Sequence, residues 1–127
     1  MPRLKCEPFE RNYSDQGCDV ICFEKNLIYI LEIKQCTFNT SDANKAVKQL
    51  EYTEQWIKEN HESLKMDNIS KVKIAKVFIH DKRSGCKTIR QALMKLRRED
   101  INYKKMGDDE LTTSAYNTYK QIINNME

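Results

Sequence analysis

The chain has 127 residues, of which 39% are hydrophobic and 32% charged, and its formal net charge is +3. This length suits one domain with a buried core, no apolar run approaches the roughly 18 residues of a membrane span, and the first residues lack the apolar segment of a secretory signal. We therefore expect a single intracellular domain over residues 1–127, without linker or repeat, whose five cysteines are free thiols.

The spacing of apolar residues divides the chain into alternating strands and helices. Short runs rich in β-branched and aromatic residues predict strands, and apolar residues that recur every three or four positions predict helices. Pro8 cannot donate to a neighbouring strand, so the first strand is expected at the sheet edge. In chain order, the pattern predicts strands over 4–13, 18–24 and 27–36, a helix over about 40–60, a polar loop over 61–70, a strand over 72–79, a helix over about 87–98, a short strand over 101–106 and a C-terminal helix over about 108–125.

This order of elements predicts an α/β fold. Strands that alternate with helices after an antiparallel hairpin give a mixed sheet flanked by helices. Asp108, Asp109 and Glu110 open the C-terminal helix, where the helix dipole favours negative charge. We interpret these three residues as capping residues and not as catalytic ones.

The hairpin places charged side chains together on an apolar sheet. If its turn is centred between Lys25 and Asn26, Asp19 lies directly opposite Glu32, and opposed residues share one face of a sheet. Lys34 lies two residues further on and shares that face. Two adjacent carboxylates resist joint ionisation, but a divalent cation such as Mg²⁺ or Mn²⁺ favours hard oxygen ligands of this kind. The alternative interpretation is a salt bridge between Glu32 and Lys34 at the strand end.

Gly17-Cys18-Asp19, a hairpin and then Glu32-Ile33-Lys34 resemble the PD-(D/E)xK nuclease superfamily. The similarity runs over about residues 9–106 and is to its small members: archaeal Holliday junction resolvases, RecB-like domains and archaeal single-strand-specific repair endonucleases. It implies a restriction-endonuclease-like fold and a Mg²⁺- or Mn²⁺-dependent endonuclease that acts on DNA. Asp19, Glu32 and the backbone carbonyl of Ile33 would hold the metal, and Lys34 would position the attacking water.

The predicted helix after the hairpin carries a further part of the resemblance. Gln49 and Tyr52 are similar to a glutamine–tyrosine motif of RecB-like nucleases, although only two residues separate them where the motif usually has three. The resemblance therefore gives Gln49 a catalytic, supporting role and leaves Tyr52 open. The family core also opens with a helix that bears an acidic residue, and no such helix is apparent here. Glu7 or Glu10 would be the substitute within this chain.

Positive charge is concentrated in residues 82–105, which hold nine lysines and arginines against two acidic residues. A basic patch of this kind is typical of phosphate binding, and an ordinary solvated helix face is the alternative. His80, at the end of the preceding predicted strand, could contact a phosphate or be structural. The candidate nucleic-acid-binding residues are Lys82, Arg83, Lys87, Arg90, Arg97 and Arg98.

Three functions remain open at this point. The first is a metal-dependent DNA nuclease of repair or recombination, acting on branched or single-stranded substrates. The second is a catalytically inactive nucleic-acid-binding or partner subunit on the same fold. The third is an RNA-processing nuclease, although His61 and His80 do not suggest histidine-centred chemistry. DNA is the expected partner, no membrane contact is expected, and a homodimer or a partner chain could supply the missing helix.

Overall fold

The computed structural model describes residues 4–9, 13, 16–24, 27–34, 40–60, 72–80 and 87–125, with only the backbone of residues 87–90 and 125. Its elements follow the predicted order. They are β1 (Lys5–Pro8), β2 (Val20–Glu24), β3 (Leu27–Lys34), α1 (Thr40–Glu59), β4 (Lys73–His80), α2 (Lys87–Arg98), β5 (Asn102–Lys105) and α3 (Glu110–Asn125). The predicted loop over 61–70 lies outside the described residues.

The described residues form an α/β structure with one five-stranded mixed sheet and three flanking helices. The strand order is β1-β2-β3-β4-β5; β1, β2 and β3 are antiparallel, whereas β3, β4 and β5 are parallel. Parallel neighbours require a crossover, and α1 and α2 supply the two that this order needs. The predicted mixed sheet flanked by helices is confirmed at this level.

The register of the hairpin agrees with the prediction from its turn. Val20 pairs with Leu31 and Ile21 pairs with Ile30. The two members of each pair are equally far in sequence from a point between residues 25 and 26, as expected for a turn centred there. The paired residues end at Val20 and Leu31, directly beside Asp19 and Glu32. A slip by one residue would move every side chain to the other face, so the agreement fixes which residues reach the site.

Each face of the sheet carries its own apolar core, which explains why the central strands are almost wholly apolar. One core contains Ile21, Ile28, Ile30 and Phe78 of the sheet together with Ala43, Val47, Leu50 and Ile57 of α1 and Ala92 and Leu96 of α2. The other contains Val20, Cys22, Leu31, Ile33, Val77 and Ile79 with Leu111 and Ala115 of α3. Asp19, Glu32 and Lys34 belong by register to the face covered by α1.

The first strand is shorter than the sequence predicts. It ends at Pro8, and Tyr13 N donates to Phe9 O at 2.9 Å, which is the hydrogen bond of a helical turn. Phe9 is completely buried and packs edge-on against Trp56, with ring centroids 5.3 Å apart. The aromatic contact with α1 therefore replaces the strand that local β propensity favours.

The expectation of free thiols is wrong for two of the cysteines. Cys6 and Cys22 face each other across β1 and β2, and a disulfide joins them with their Cα atoms 4.0 Å apart. Cys18 is a free, buried thiol. Spacing along the chain could not reveal this pairing, because it arises from the register between an edge strand and its neighbour.

The C-terminal helix begins as its acidic residues predict. Thr112 N donates to Asp109 Oδ1 at 2.8 Å, which is an N-cap hydrogen bond, and Lys104 on β5 forms an ion pair with the same carboxylate. In the part of the chain that the structure describes, no helix combines the length and the apolar character needed to cross a membrane.

Candidate functional site

A pocket of about 360 Å³ lies at the C-terminal end of β3, the central strand of the sheet. Four elements supply its walls besides the loop before β2: β3, the first two turns of α1, β4 and α3. The lining residues are Asp19, Glu32, Ile33, Lys34, Asp42, Lys45, Ala46, Phe78 and Tyr119. The structure therefore brings together the four residues that the sequence assigned to the metal and to water activation.

Asp19 is held against the end of β3 by two hydrogen bonds. Its backbone N donates to Leu31 O at 3.1 Å, the residue that pairs with Val20. Its side-chain Oδ2 accepts from Ile33 N at 2.9 Å. Since Ile33 lies between Glu32 and Lys34, the Asp19 carboxylate is fixed beside both of these residues.

Gly17 makes the close approach of the preceding loop possible. Its φ of 128° lies in a region that glycine adopts far more readily than other residues. A Cβ atom at this position would come within 2.4 Å of Phe9 Cε2. A side chain here would push the loop away from Phe9 and would displace Asp19, two residues further on.

Gln49 and Thr53 of α1 bind the backbone of this loop. Gly17 N donates to Gln49 Oε1 at 3.2 Å, and Cys18 N donates to the completely buried Thr53 Oγ1 at 2.7 Å. Thr53 Oγ1 in turn donates to Gln49 O at 2.7 Å. Gln49 is not one of the residues that line the pocket. Its role in the structure is to position Gly17, which lies two residues before Asp19 in the chain.

Lys34 forms an ion pair that the sequence analysis did not anticipate. Its Nζ lies 3.9 Å from Asp42 Oδ1, and the Lys34 side chain is 42% exposed. Asp42 stands in the first turn of α1. The pair joins the end of β3 to the start of α1 and keeps the lysine at the rim of the pocket.

The pKa of the Cys18 thiol is raised by its burial and by the nearby carboxylates of the site. Burial raises the pKa of this thiol well above its usual range, and the charges of Glu32 and Asp19 raise it further, against the opposing effect of hydrogen bonds with Thr53 and Leu31. The thiol therefore stays protonated at neutral pH. Its sulfur donates to Val20 O at 3.3 Å, which suits a packing residue.

The chemistry of the donors fits a hard divalent cation. Among the described residues there is no group of three or more histidine, cysteine, aspartate or glutamate side chains that could hold a metal ion. Asp19 and Glu32 nevertheless line one pocket with Ile33, and two carboxylates suit Mg²⁺, which usually keeps several waters and needs few protein ligands.

The predicted basic residues divide between two surfaces. Arg98 lines a groove of α2 that reaches Thr40, the first residue of α1, whereas Arg97 lines a different pocket with Lys73 at the start of β4. Both arginines are exposed. Of Lys87 and Arg90 only the backbone in α2 is described, and Lys82 and Arg83 lie outside the described residues.

The secondary candidates have structural partners. His80 is only 3% exposed, and its ring centroid lies 6.3 Å from that of Tyr103, so packing accounts for it. Glu7 accepts a hydrogen bond from Tyr13 Oη and is not one of the residues that line the pocket. Glu10 and His61 lie outside the described residues.

Asp42, Lys45 and Tyr119 are pocket residues that the sequence analysis did not assign to the site. Asp42 and Lys45 share one face of α1, three positions apart. Tyr119 lies on the apolar face that was predicted for the C-terminal helix, and only the packing of that helix brings it to the pocket. No signal in the sequence separates it from the core positions of the same face.

Comparison of the chain with models of known protein families gave no match, and neither did comparisons with curated proteins and with solved structures. The residues of this pocket are therefore the features of the molecule that indicate a function.

Proposed function

We propose that this protein is a Mg²⁺- or Mn²⁺-dependent endonuclease with a restriction-endonuclease-like fold that hydrolyses phosphodiester bonds in DNA. The observation that carries the proposal is that Asp19, Glu32 and Lys34 all line one pocket, where the hydrogen bond from Ile33 N holds the Asp19 carboxylate beside the other two. Carboxylates and a lysine in this arrangement match the chemistry of the nuclease motif that the sequence resembles.

The order of elements supports the same proposal. A hairpin followed by a helix and a parallel strand puts the start of α1 beside the end of β3, so residues from both elements meet at the site. The resemblance also implies an acidic residue from a first helix, and a second copy or a partner chain could contribute it.

Asp19, Glu32 and the carbonyl of Ile33 would hold the metal. A bound divalent ion polarises a phosphoryl oxygen and lowers the pKa of a bound water. The hydrogen bond from Ile33 N keeps the Asp19 carboxylate in place before substrate arrives. Lys34 orients a water and stabilises negative charge that develops on the phosphorane, while Asp42 restrains its side chain at 3.9 Å.

A cleavage assay with a matched pair of variants tests this proposal. We expect Glu32→Gln to abolish metal-dependent cleavage, because the amide removes the negative charge, and Lys34→Ala to slow it by about 100-fold or more. Labelled single-stranded, duplex, flap and four-way-junction DNA would be incubated with Mg²⁺, Mn²⁺ or chelator. Glu54→Gln is the control, since Glu54 does not line the pocket and pairs with Lys76 of β4 at 3.7 Å.

Thermal unfolding would establish that each variant is folded. Cleavage by the wild type that persists in a folded Glu32→Gln variant would refute the assignment of the site. Activity that is unchanged by chelator would refute the need for a metal.

A binding subunit without catalysis is the second candidate. Two observations favour it: the described residues hold no cluster of three metal-binding side chains, and Lys34 is paired with Asp42. This function predicts salt-dependent DNA binding that Glu32→Gln leaves unchanged, with no cleavage by the wild type on any of the four substrates.

A further inference from the structure

The pocket combines charged walls with an aromatic side chain from a distant part of the chain. Asp19, Glu32 and Lys34 line it from the hairpin, and Tyr119 lines it from α3. Phe78 also lines the pocket but is only 2% exposed, whereas Tyr119 is partly exposed. Tyr119 is thus the more accessible of the two rings that the described residues place here.

We propose that Tyr119 selects an unpaired nucleotide by stacking on its base, with Lys45 on a neighbouring phosphate. This inference rests on the proposed nuclease function, since it places the base beside the carboxylates that would act on its phosphodiester. It assigns single-stranded DNA, or the unpaired part of a flap or junction, as the preferred substrate class.

The aromatic ring of Tyr119 is chemically suited to a base, and Tyr119→Phe separates this role from a hydrogen bond of the hydroxyl to a phosphate. Aromatic side chains stack on the faces of splayed bases without much sequence preference. In a duplex, both faces of a base are covered by its neighbours, so a protein must extrude the nucleotide at an energetic cost before it can stack on it. A stacking residue at the pocket therefore favours nucleotides that are already unpaired.

Lys45 supplies positive charge at the same pocket. It is exposed and stands one helical turn after Asp42, and both residues line the pocket. Lys34 is engaged by Asp42 at 3.9 Å, so Lys45 is the better placed of the two lysines to bind a phosphate that neighbours the reacting one. The pocket volume of about 360 Å³ falls in the range of small-molecule sites.

The two tyrosines of α3 provide a matched test. Tyr116 lies one turn before Tyr119 and has Lys120 Nζ 4.8 Å from its ring centroid, and it is not one of the residues that line the pocket. The variants are Tyr119→Phe, which keeps a ring, Tyr119→Leu, which keeps apolar volume without one, and Tyr116→Leu as the control. Binding to a short labelled single strand and to a hairpin duplex would be measured by fluorescence anisotropy in chelator, which prevents cutting.

We expect Tyr119→Leu to weaken single-strand binding by about 5- to 150-fold, the effect of losing one base stack, and to change duplex binding little. Tyr119→Phe and Tyr116→Leu should bind like the wild type. Lys45→Gln should lower the salt dependence of single-strand binding by about 0.7 in logarithmic slope, the effect of one phosphate contact.

Single-strand affinity that is unchanged in Tyr119→Leu would overturn the inference, as would an equal loss on single strand and duplex. Tyr119 also packs against the core beneath α3, so thermal unfolding accompanies the measurement, and Tyr119→Ile replaces a leucine variant that does not fold.

The cleavage assay separates this inference from the proposed function. If the wild type cuts DNA and Tyr119→Leu does not alter its preference for single-stranded over duplex DNA, the base-stacking role is refuted and the proposed nuclease function is not. If the wild type binds single strands through Tyr119 but cuts none of the substrates, the nuclease function is refuted and the stacking role is supported. A chain that binds no DNA would overturn both.

Discussion

At the scale of single residues, Thr53 is the connection between the scaffold and the candidate site. Its hydroxyl accepts from Cys18 N and donates to Gln49 O, both at 2.7 Å. Cys18 immediately precedes Asp19, so a buried side chain of α1 sets the position of a pocket carboxylate. A threonine four residues after the glutamine gives no hint of this role in the sequence.

Replacing Thr53 by valine should destabilise the protein by about 1–3 kcal/mol, because it leaves the buried Cys18 N–H without its acceptor. Valine has a similar shape, so lost packing contributes little. Urea denaturation would measure the change in the free energy of unfolding. Thr113→Val is the control, since the Thr113 hydroxyl is exposed and donates to the O atom of Asp109, the residue directly before α3.

An unfolding free energy of Thr53→Val equal to that of Thr113→Val would contradict this assignment. The prediction also separates structure from catalysis, because Thr53 is not one of the residues that line the pocket. A loss of activity in a folded Thr53→Val variant would therefore report a displaced Asp19.

At the scale of elements, the start of α3 is secured by one carboxylate. Asp109 caps the helix through Thr112 N at 2.8 Å and pairs with Lys104 on β5. Partial burial acts to raise the pKa of Asp109, but hydrogen bonds from Lys104 and Thr112 outweigh it and hold the pKa below its ordinary value. The helix that carries Tyr119 is thereby tied to the sheet.

Asp109→Ala should cost about 1 kcal/mol of unfolding free energy, the usual effect of removing an N-cap. Asp109→Asn keeps the capping acceptor and removes the charge, so it isolates the ion pair with Lys104. Because the folded pKa is lowered, the contribution of the charge is fully present above the ordinary value of 3.8 and is lost as the pH falls through the folded pKa.

Urea unfolding at neutral pH and at about pH 3 would check this dependence. The difference between wild type and Asp109→Asn should shrink at the lower pH. Asp108→Asn, at the exposed residue before it, is the control and should show a smaller difference at neutral pH. A difference for Asp109→Asn that grows on acidification would contradict the direction of the pKa shift.

At the scale of the whole molecule, the disulfide fastens the edge of the sheet. Cys6 and Cys22 are 16 residues apart in sequence and join β1 to β2, the strand that follows Asp19. A crosslink over a loop of this length stabilises a fold by about 3 kcal/mol, mainly through the unfolded state. The bond also secures a short edge strand whose one strand partner among the described residues is β2.

Reduction should therefore lower the free energy of unfolding by about 3 kcal/mol. Urea denaturation with and without reductant would measure this change, and Cys6→Ala should behave alike in both conditions. Titration of thiols in the unfolded chain would show how many cysteines are already reduced. Equal stability of the oxidised and reduced wild type would contradict the prediction.

Much of the fold was predictable because its signals are local. The hairpin register follows from the position of a polar turn between two apolar runs, and its last pair, Val20 with Leu31, brings Asp19 beside Glu32. The bounds of α2 agree with the predicted helix because apolar residues recur at helical spacing. The first strand was predicted too long, since a buried aromatic contact of Phe9 outweighs local strand propensity.

The sequence by itself determined the alternation of strands and helices, the two apolar faces of the sheet and the triplet of charges on one of them, because periodicity and turn position act over a few neighbouring residues. Only the tertiary structure decided that Lys34 pairs with Asp42, that Gln49 and Thr53 hold the loop before Asp19, that Cys6 is bonded to Cys22 and that Tyr119 reaches the pocket. These contacts join separate elements of the chain, and their geometry is set by how helices pack on the sheet, which no local pattern records.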